Sequence, residues 1–146
     1  MLALILAFVA FASAGSSCED SAEQIYKAFA SGNLTGLFET LDNSVVWTTF
    51  GSPTTITSRT YNAPAGVKQY FEDDAVVFTT TQFSPDPQSN WVVGVSDVGV
   101  EGIECGHYTF HDSIQYCNRW FHRWHCNSNG KVTEFRQYQV TVPKAQ

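Results

Sequence analysis

The stretch that most constrains this chain lies in its last third, where two long runs rich in aromatic and β-branched residues flank an Asn129-Gly130 pair. The first run is Cys117-Asn-Arg-Trp-Phe-His-Arg-Trp-His-Cys126 and the second is Lys131-Val-Thr-Glu-Phe-Arg-Gln-Tyr-Gln-Val140. Asn-Gly between strand-like runs is a strong local signal for a type I′ hairpin, because both central residues need positive φ, which Asn and Gly adopt at little cost. With Asn129 and Gly130 as the loop, Ser128 faces Lys131. Counting outward sets Trp124 against Phe135, His122 against Gln137 and Trp120 against Gln139. Side chains alternate faces along a strand, so all six share one side of the sheet. Two Trp, one Phe, one His and two Gln are too polar for an ordinary core and too aromatic for a solvated face. They read as the lining of a pocket. The opposite side carries Phe121, Arg123, His125, Glu134, Arg136 and Tyr138. It sets Arg123 against Arg136, an unfavourable pair that Glu134, diagonal to Arg123, relieves only in part.

At 146 residues the chain is sized for one domain with its own core. Eight Lys and Arg against fourteen Asp and Glu leave a formal charge of −6. That argues against nucleic acid as a partner, because a phosphate-binding surface needs a basic stripe. Met1 to Ala12 is an unbroken apolar run ending in Ala12-Ser13-Ala14. It is short for a membrane span, and the small residues offer a cleavage site. Residues 1–14 are therefore expected to be a secretory signal peptide and 15–146 a single domain, extracellular and free of the membrane after cleavage. The alternative is an anchor or a buried helix, favoured by the absence of Lys or Arg ahead of the run.

Ser21-Ala-Glu-Gln24 fits a capping box opening a helix, with Ala22, Ile25, Tyr26 and Phe29 at helical spacing and Gly32 as its stop. Asn33 suits the cap of a second short helix bearing Leu34, Leu37, Phe38 and Leu41. The same Asn33-Leu-Thr35 is a glycosylation sequon in a eukaryotic secretory pathway. Val45 to Phe50 reads as a strand ended by Gly51-Ser-Pro53, and Thr54 to Thr60 as a second. Ala63-Pro64 opens a third helix whose buried side holds Val67, Tyr70 and Phe71. Ala75 to Phe83 is strand-like, Ser84 to Asn90 a loop, and Trp91 to Thr109 a glycine-studded strand of a strongly curled sheet. A turn near His111-Asp112 leads into the hairpin. The order gives an α+β fold, helices on one side of a curved antiparallel sheet.

Four cysteines allow three pairings. Cys117 and Cys126 sit at opposite ends of one presumed strand, about 30 Å apart when extended, so they cannot bond to each other. The turn near residue 111 brings Cys105 close to Cys117 and far from Cys126. The survivors are Cys105–Cys117 and, by elimination, Cys18–Cys126. Free buried thiols in a cytosolic protein are the alternative.

The order of motifs also resembles a known family. Ile25-Tyr-Lys-Ala-Phe-Ala-Ser-Gly-Asn-Leu-Thr-Gly-Leu-Phe38 is similar to the opening helix-turn-helix signature of the SnoaL-like, nuclear transport factor 2-like superfamily. Asn43-Ser-Val-Val-Trp47 resembles its first strand and Gly66-Val-Lys-Gln-Tyr-Phe71 its third helix. His122-Arg-Trp124 with Asn129-Gly-Lys-Val132 resembles its last hairpin. The resemblance implies an α+β cone of the cystatin-like kind: a curved antiparallel sheet around a pocket closed by about three helices. The superfamily spans polyketide cyclases, a steroid isomerase, scytalone dehydratase, an epoxide hydrolase and non-catalytic carriers, so fold does not fix activity. Its enzymes mostly use acid–base chemistry without metal. The position of the isomerase's base falls on Thr48 and Thr49, that of the cyclases' acid on Gln137, and that of the isomerase's protonated acid on His122. Two of the three expected acids are absent.

His122 is the leading candidate for chemistry: imidazole donates or accepts, and an aromatic setting lowers its pKa by desolvation. Gln137 opposite is placed to fix its tautomer or to bind a ligand carbonyl. Tyr26, Trp47, Thr48, Trp120, Trp124, Phe135, Gln137 and Gln139 complete the expected ligand-binding set. The plainer alternative is a His122 satisfied by Gln137 in a filled core. A metal is disfavoured, because His122 and His125 fall on opposite faces of a strand and oxidised cysteines cannot ligate. Asp73 and Asp74 read as a solvated helix end, and Glu101 and Glu104 as rim charges. No nucleophile elbow or phosphate loop is present, and no cofactor is expected. The sequence thus supports a secreted protein that binds a small, largely apolar molecule of polyketide, terpenoid or steroid kind. The alternatives are a cofactor-free isomerase, cyclase or dehydratase using His122, and a homodimer formed through the outer sheet face.

Overall fold

The computed structural model describes residues 17–50, 58–86, 91–92, 95–109 and 114–143, with the backbone alone at 91–92 and 141–143. The expected signal segment, most of the Thr54 to Thr60 strand, the end of the Ser84 to Asn90 loop and the turn near His111-Asp112 lie outside the described residues.

Helix α1 (Cys18–Ser31) begins earlier than the Ser21 capping box predicts. Ser17 is the cap: its hydroxyl accepts the Asp20 N–H at 3.1 Å, and the Asp20 carboxylate accepts the Ser17 N–H at 2.9 Å. Ser17-x-x-Asp20 makes the reciprocal capping expected of Ser21-x-x-Gln24, one turn earlier. Ser21 is instead buried and donates to the Gly130 carbonyl at 2.6 Å, tying the helix to the last hairpin. Gly32 caps the C-terminus, and α2 (Thr35–Thr40) follows at once. Asn33 is exposed and accepts the Thr35 N–H through its side chain at 3.1 Å.

After β1 (Leu41–Phe50) and β2 (Arg59–Asn62) comes α3 (Ala63–Val77), with Pro64 in its first turn. It runs through Ala75-Val76-Val77, which the sequence reading gives to a strand. Strand β3 (Phe78–Pro85) starts only at Phe78, and β4 (Trp91–Val92), β5 (Asp97–Tyr108), β6 (Tyr116–Cys126) and β7 (Val132–Pro143) complete the chain. The curved sheet has the order β2-β1-β7-β6-β5-β3, with β4 beside β5. All its pairs are antiparallel except β1 with β7, so the sheet is mixed. Hairpin signals speak only for strands adjacent in sequence, and β1 meets β7 across the length of the chain.

The last hairpin has the predicted face-to-face pairs, Trp124 with Phe135, His122 with Gln137 and Trp120 with Gln139. Its turn differs. Gly130 N–H bonds the Asn127 carbonyl at 2.9 Å, Asn127 N–H bonds the Lys131 carbonyl at 2.9 Å, and only Gly130 takes a positive φ, of 73°. This is the longer loop in which a glycine in the left-handed region follows the turn. It shifts the register by one residue, so Cys126 faces Val132. An irregularity between His125 and Cys126 then shifts it back, and His125 faces Glu134.

Disulfides join Cys18 to Cys126 and Cys105 to Cys117, the pairing reached by elimination. The first fixes the start of α1 to the end of β6; the second links neighbouring strands at facing positions. On the concave side, Trp47, Trp124, Phe135, Val132, Val45, Ile25, Leu37 and Val67 form the buried core between the sheet and the helices. On the outer side Arg123 does face Arg136, but each has its own carboxylate. Arg123 meets Asp97 at 3.0 Å, and Arg136 meets Glu134 at 2.7 Å. Ile103, Tyr138 and Val140 lie exposed on that face.

Candidate functional site

Alternation along β6 and β7 turns His122, Trp124, Phe135 and Gln137 toward the helices, where they form one wall of a cavity of about 500 Å³. Trp47 enters from β1. From α3 come Tyr70, Phe71 and Asp74, which continue the stripe begun by Val67 at helical spacing. Phe29 comes from α1, Thr80 and Phe83 from β3, and Glu104 from β5.

His122 is buried, and its ring lies flat on that of Trp120, centroid to centroid 4.0 Å. Its Nδ1 is 3.0 Å from the Tyr26 hydroxyl, which is also 3.0 Å from Trp124 Nε1. An indole N–H can only donate, so Tyr26 accepts from Trp124, and among the described residues the acceptor within reach of its own buried proton is His122 Nδ1. The imidazole proton is thereby assigned to Nε2, on the ring edge turned away from Tyr26. Among the described residues Nε2 has no partner, and neither has the Nε1 of Trp47, another residue of the cavity wall. Burial pulls the His122 pKa from its usual 6.5 to about 3, so the ring is neutral at physiological pH. Burial also pushes the Tyr26 phenol well above its usual range, against the opposing effect of the Trp124 N–H.

Of the two carboxyls of the wall, Asp74 is half-buried where the sequence reads a solvated helix end, and Glu104, which the sequence reads as a rim charge, is half-buried as well. Asp74 is raised from 3.8 to about 7, first by burial and then by the charge of Glu104. Burial raises Glu104 as well, offset in part by the Thr80 hydroxyl donating to it at 2.6 Å. Tyr70 is pushed up by burial first and by Asp74 next, and its hydroxyl donates to Gln137 at 3.1 Å. Of Asp74 and His122, the one brought near neutrality is therefore Asp74.

The expected ligand-binding residues divide accordingly. Trp47, His122, Trp124, Phe135 and Gln137 line the cavity. Tyr26 and Trp120 stand behind His122 as its hydrogen-bond and stacking partners. Gln137 does not fix the His122 tautomer; it accepts from Tyr70 and donates at 3.0 Å to Gln139, which is not part of the wall. Thr48 lies away from the cavity with its hydroxyl 3.4 Å from that of Thr60, because Trp47 takes the inward position on β1. Asp74 and Glu104 went unrecognised, though each had a signal. Asp74 is the next step of the Val67, Tyr70, Phe71 stripe, and Glu104 shares the parity of Val98 and Val100 on β5. Among the described residues no three His, Cys, Asp or Glu gather as a metal site.

No family model matches the sequence, and no curated protein does. Solved structures do. An NTF2-like protein from Burkholderia thailandensis superposes with a TM-score of 0.73 at 18% identity, covering 85% of this chain and 91% of that one. The chain has the NTF2-like fold. An NTF2-like protein of unknown function from Burkholderia pseudomallei gives a TM-score of 0.70 at 19% identity over 84% and 89% of the two chains. A protein provisionally named an isomerase, from Bacillus subtilis, gives 0.65 at 17% over 83% and 86%. At these identities the likeness establishes the NTF2-like architecture and leaves the chemistry to the cavity itself.

Proposed function

We propose that this NTF2-like protein binds a small, largely apolar molecule in the cavity, with an acceptor oxygen of the ligand on His122 Nε2–H. The observation that carries this reading is the neutral, buried imidazole whose Nε2 lacks a partner among the described residues, in the same wall as Trp47, Trp124 and Phe135. A buried donor left unpaired costs about 1–3 kcal/mol, which a ligand oxygen recovers on binding. The cavity, at about 500 Å³, is within the range of small-molecule sites. The two disulfides and the apolar opening of the sequence support a secreted protein.

The test is a pair of probes of one shape, acetylnaphthalene and ethylnaphthalene, titrated while tryptophan fluorescence is read. The ketone is expected to bind about tenfold more tightly, one hydrogen bond's worth, and His122→Phe is expected to level the two. Equal affinities for the wild-type protein would remove His122 from ligand recognition.

A second reading, turnover, is favoured by a separate observation. Asp74, with a pKa of about 7, shares the cavity with the neutral His122 donor. A carboxyl poised near neutrality with a hydrogen-bond donor for developing charge is the equipment of proton transfer beside a carbonyl. The provisional isomerase name of the Bacillus subtilis structure agrees with that reading.

A further inference from the structure

The cavity wall is chemically lopsided. It contains two carboxyls, Asp74 and Glu104, and no Lys or Arg among its described residues. The nearby cations are already engaged on the outside, Arg59 with Asp73 at 3.4 Å and Lys68 with Glu72 at 3.7 Å. Asp74 has no hydrogen-bond donor of its own among the described residues, and Glu104 has only the Thr80 hydroxyl. Two half-buried carboxylates on one largely apolar space repel each other, which favours a proton or a cation beside them. The rings of Trp47, Tyr70 and Phe71 supply π-faces around the same space, which favour an organic cation.

Resting on the binding reading above, we infer that the ligand of this cavity is an apolar amine. Its ammonium group sits at Asp74 and Glu104, its hydrocarbon body lies against Trp47 and Phe71, and an acceptor atom meets His122. The His122 Nε2, buried and unpartnered, is the independent sign that this wall is built for a ligand. The same carboxyl pair turns away carboxylate ligands, because a third negative charge has no cation to meet. That narrows the class to amines and amino ketones and separates it from free fatty or aromatic acids of the same size.

Calorimetric titration at pH 7 with naphthylethylamine, naphthylethanol and naphthylacetate tests this directly. The amine is expected to bind about tenfold more tightly than the alcohol, with the carboxylate weakest. Asp74→Asn with Glu104→Gln is expected to erase the preference for the amine over the alcohol, and binding of ethylnaphthalene, which has no polar group to meet either residue, serves as control that the cavity is intact. Amine and alcohol binding equally, or a preference that survives both substitutions, would overturn the amine assignment and leave the apolar pocket standing. No binding by any of the three to the folded protein would overturn the pocket reading and the amine assignment together.

Discussion

Tyr26 has one hydroxyl proton, and among the described residues His122 Nδ1 is the acceptor within its reach. With the indole N–H occupying an acceptor site on the phenol, that proton points to His122 Nδ1, and the imidazole is left as a neutral donor. Two titrations of opposite sign follow in one cavity. His122, pulled to about 3, binds fewer protons folded than unfolded between that value and 6.5, so its contribution to stability is lost as pH falls through this window. Asp74, raised to about 7, binds more protons folded than unfolded above 3.8, so stability falls as pH rises toward 7. Asp74→Asn removes only the second effect. It should raise the unfolding free energy at pH 8 by about 2 kcal/mol, a value discounted from the full shift for partial solvation. The gain should nearly vanish at pH 4, where the native carboxyl is protonated. Urea unfolding at the two pH values measures it, and a gain independent of pH would contradict the raised Asp74.

At the scale of elements, the faces of β6 and β7 were legible because strand parity survives small errors. The loop is one residue longer, by Ser128 on the β6 side, than Asn129-Gly130 alone suggested, and the irregularity beside Cys126 shifts the register back, so His122 still meets Gln137. The end of α3 was not legible. Ala75-Val76-Val77 carries β-branched residues that favour a strand, yet the helix runs on, because Val67, Tyr70, Phe71 and Asp74 form a continuous inward stripe. Asp74 lies before that extra turn and reaches the wall as the last member of the stripe. The parallel pairing of β1 with β7 was equally invisible, having no local turn to announce it. A different element-level feature is the close contact of β5 with the indole behind His122. A Cβ on Gly102 would lie 2.1 Å from Trp120 Cζ2 and 2.7 Å from the Ser84 carbonyl oxygen. Gly102→Ala should therefore cost about 2–3 kcal/mol by overpacking and displace Trp120 from its stack on His122. Urea unfolding together with near-ultraviolet circular dichroism of the tryptophans would show both effects.

For the whole molecule, the two disulfides differ mainly in how much chain they close. Cys18–Cys126 spans a sequence separation of 108, whereas Cys105–Cys117 spans 12 and only staples strands that already pair. In the chain-entropy account the loss grows with the logarithm of loop length, which makes the longer bridge worth about 2 kcal/mol more. Replacing Cys18 and Cys126 together by Ala should therefore lower stability more than the same change at Cys105 and Cys117. The consequence reaches the site, because the long bridge anchors the start of α1, which carries Tyr26, to the end of β6, which carries His122. Losing it should loosen the Tyr26–His122 contact, and the nitrogen-15 shifts of the imidazole should move from a single Nε2–H tautomer toward a mixture. Losing the short bridge should leave that spectrum unchanged. A spectrum unchanged by removal of either bridge would mean that packing of Ile25, Ala22 and Ser21 alone holds α1 on the sheet, and that the long bridge stabilises the fold without organising the cavity.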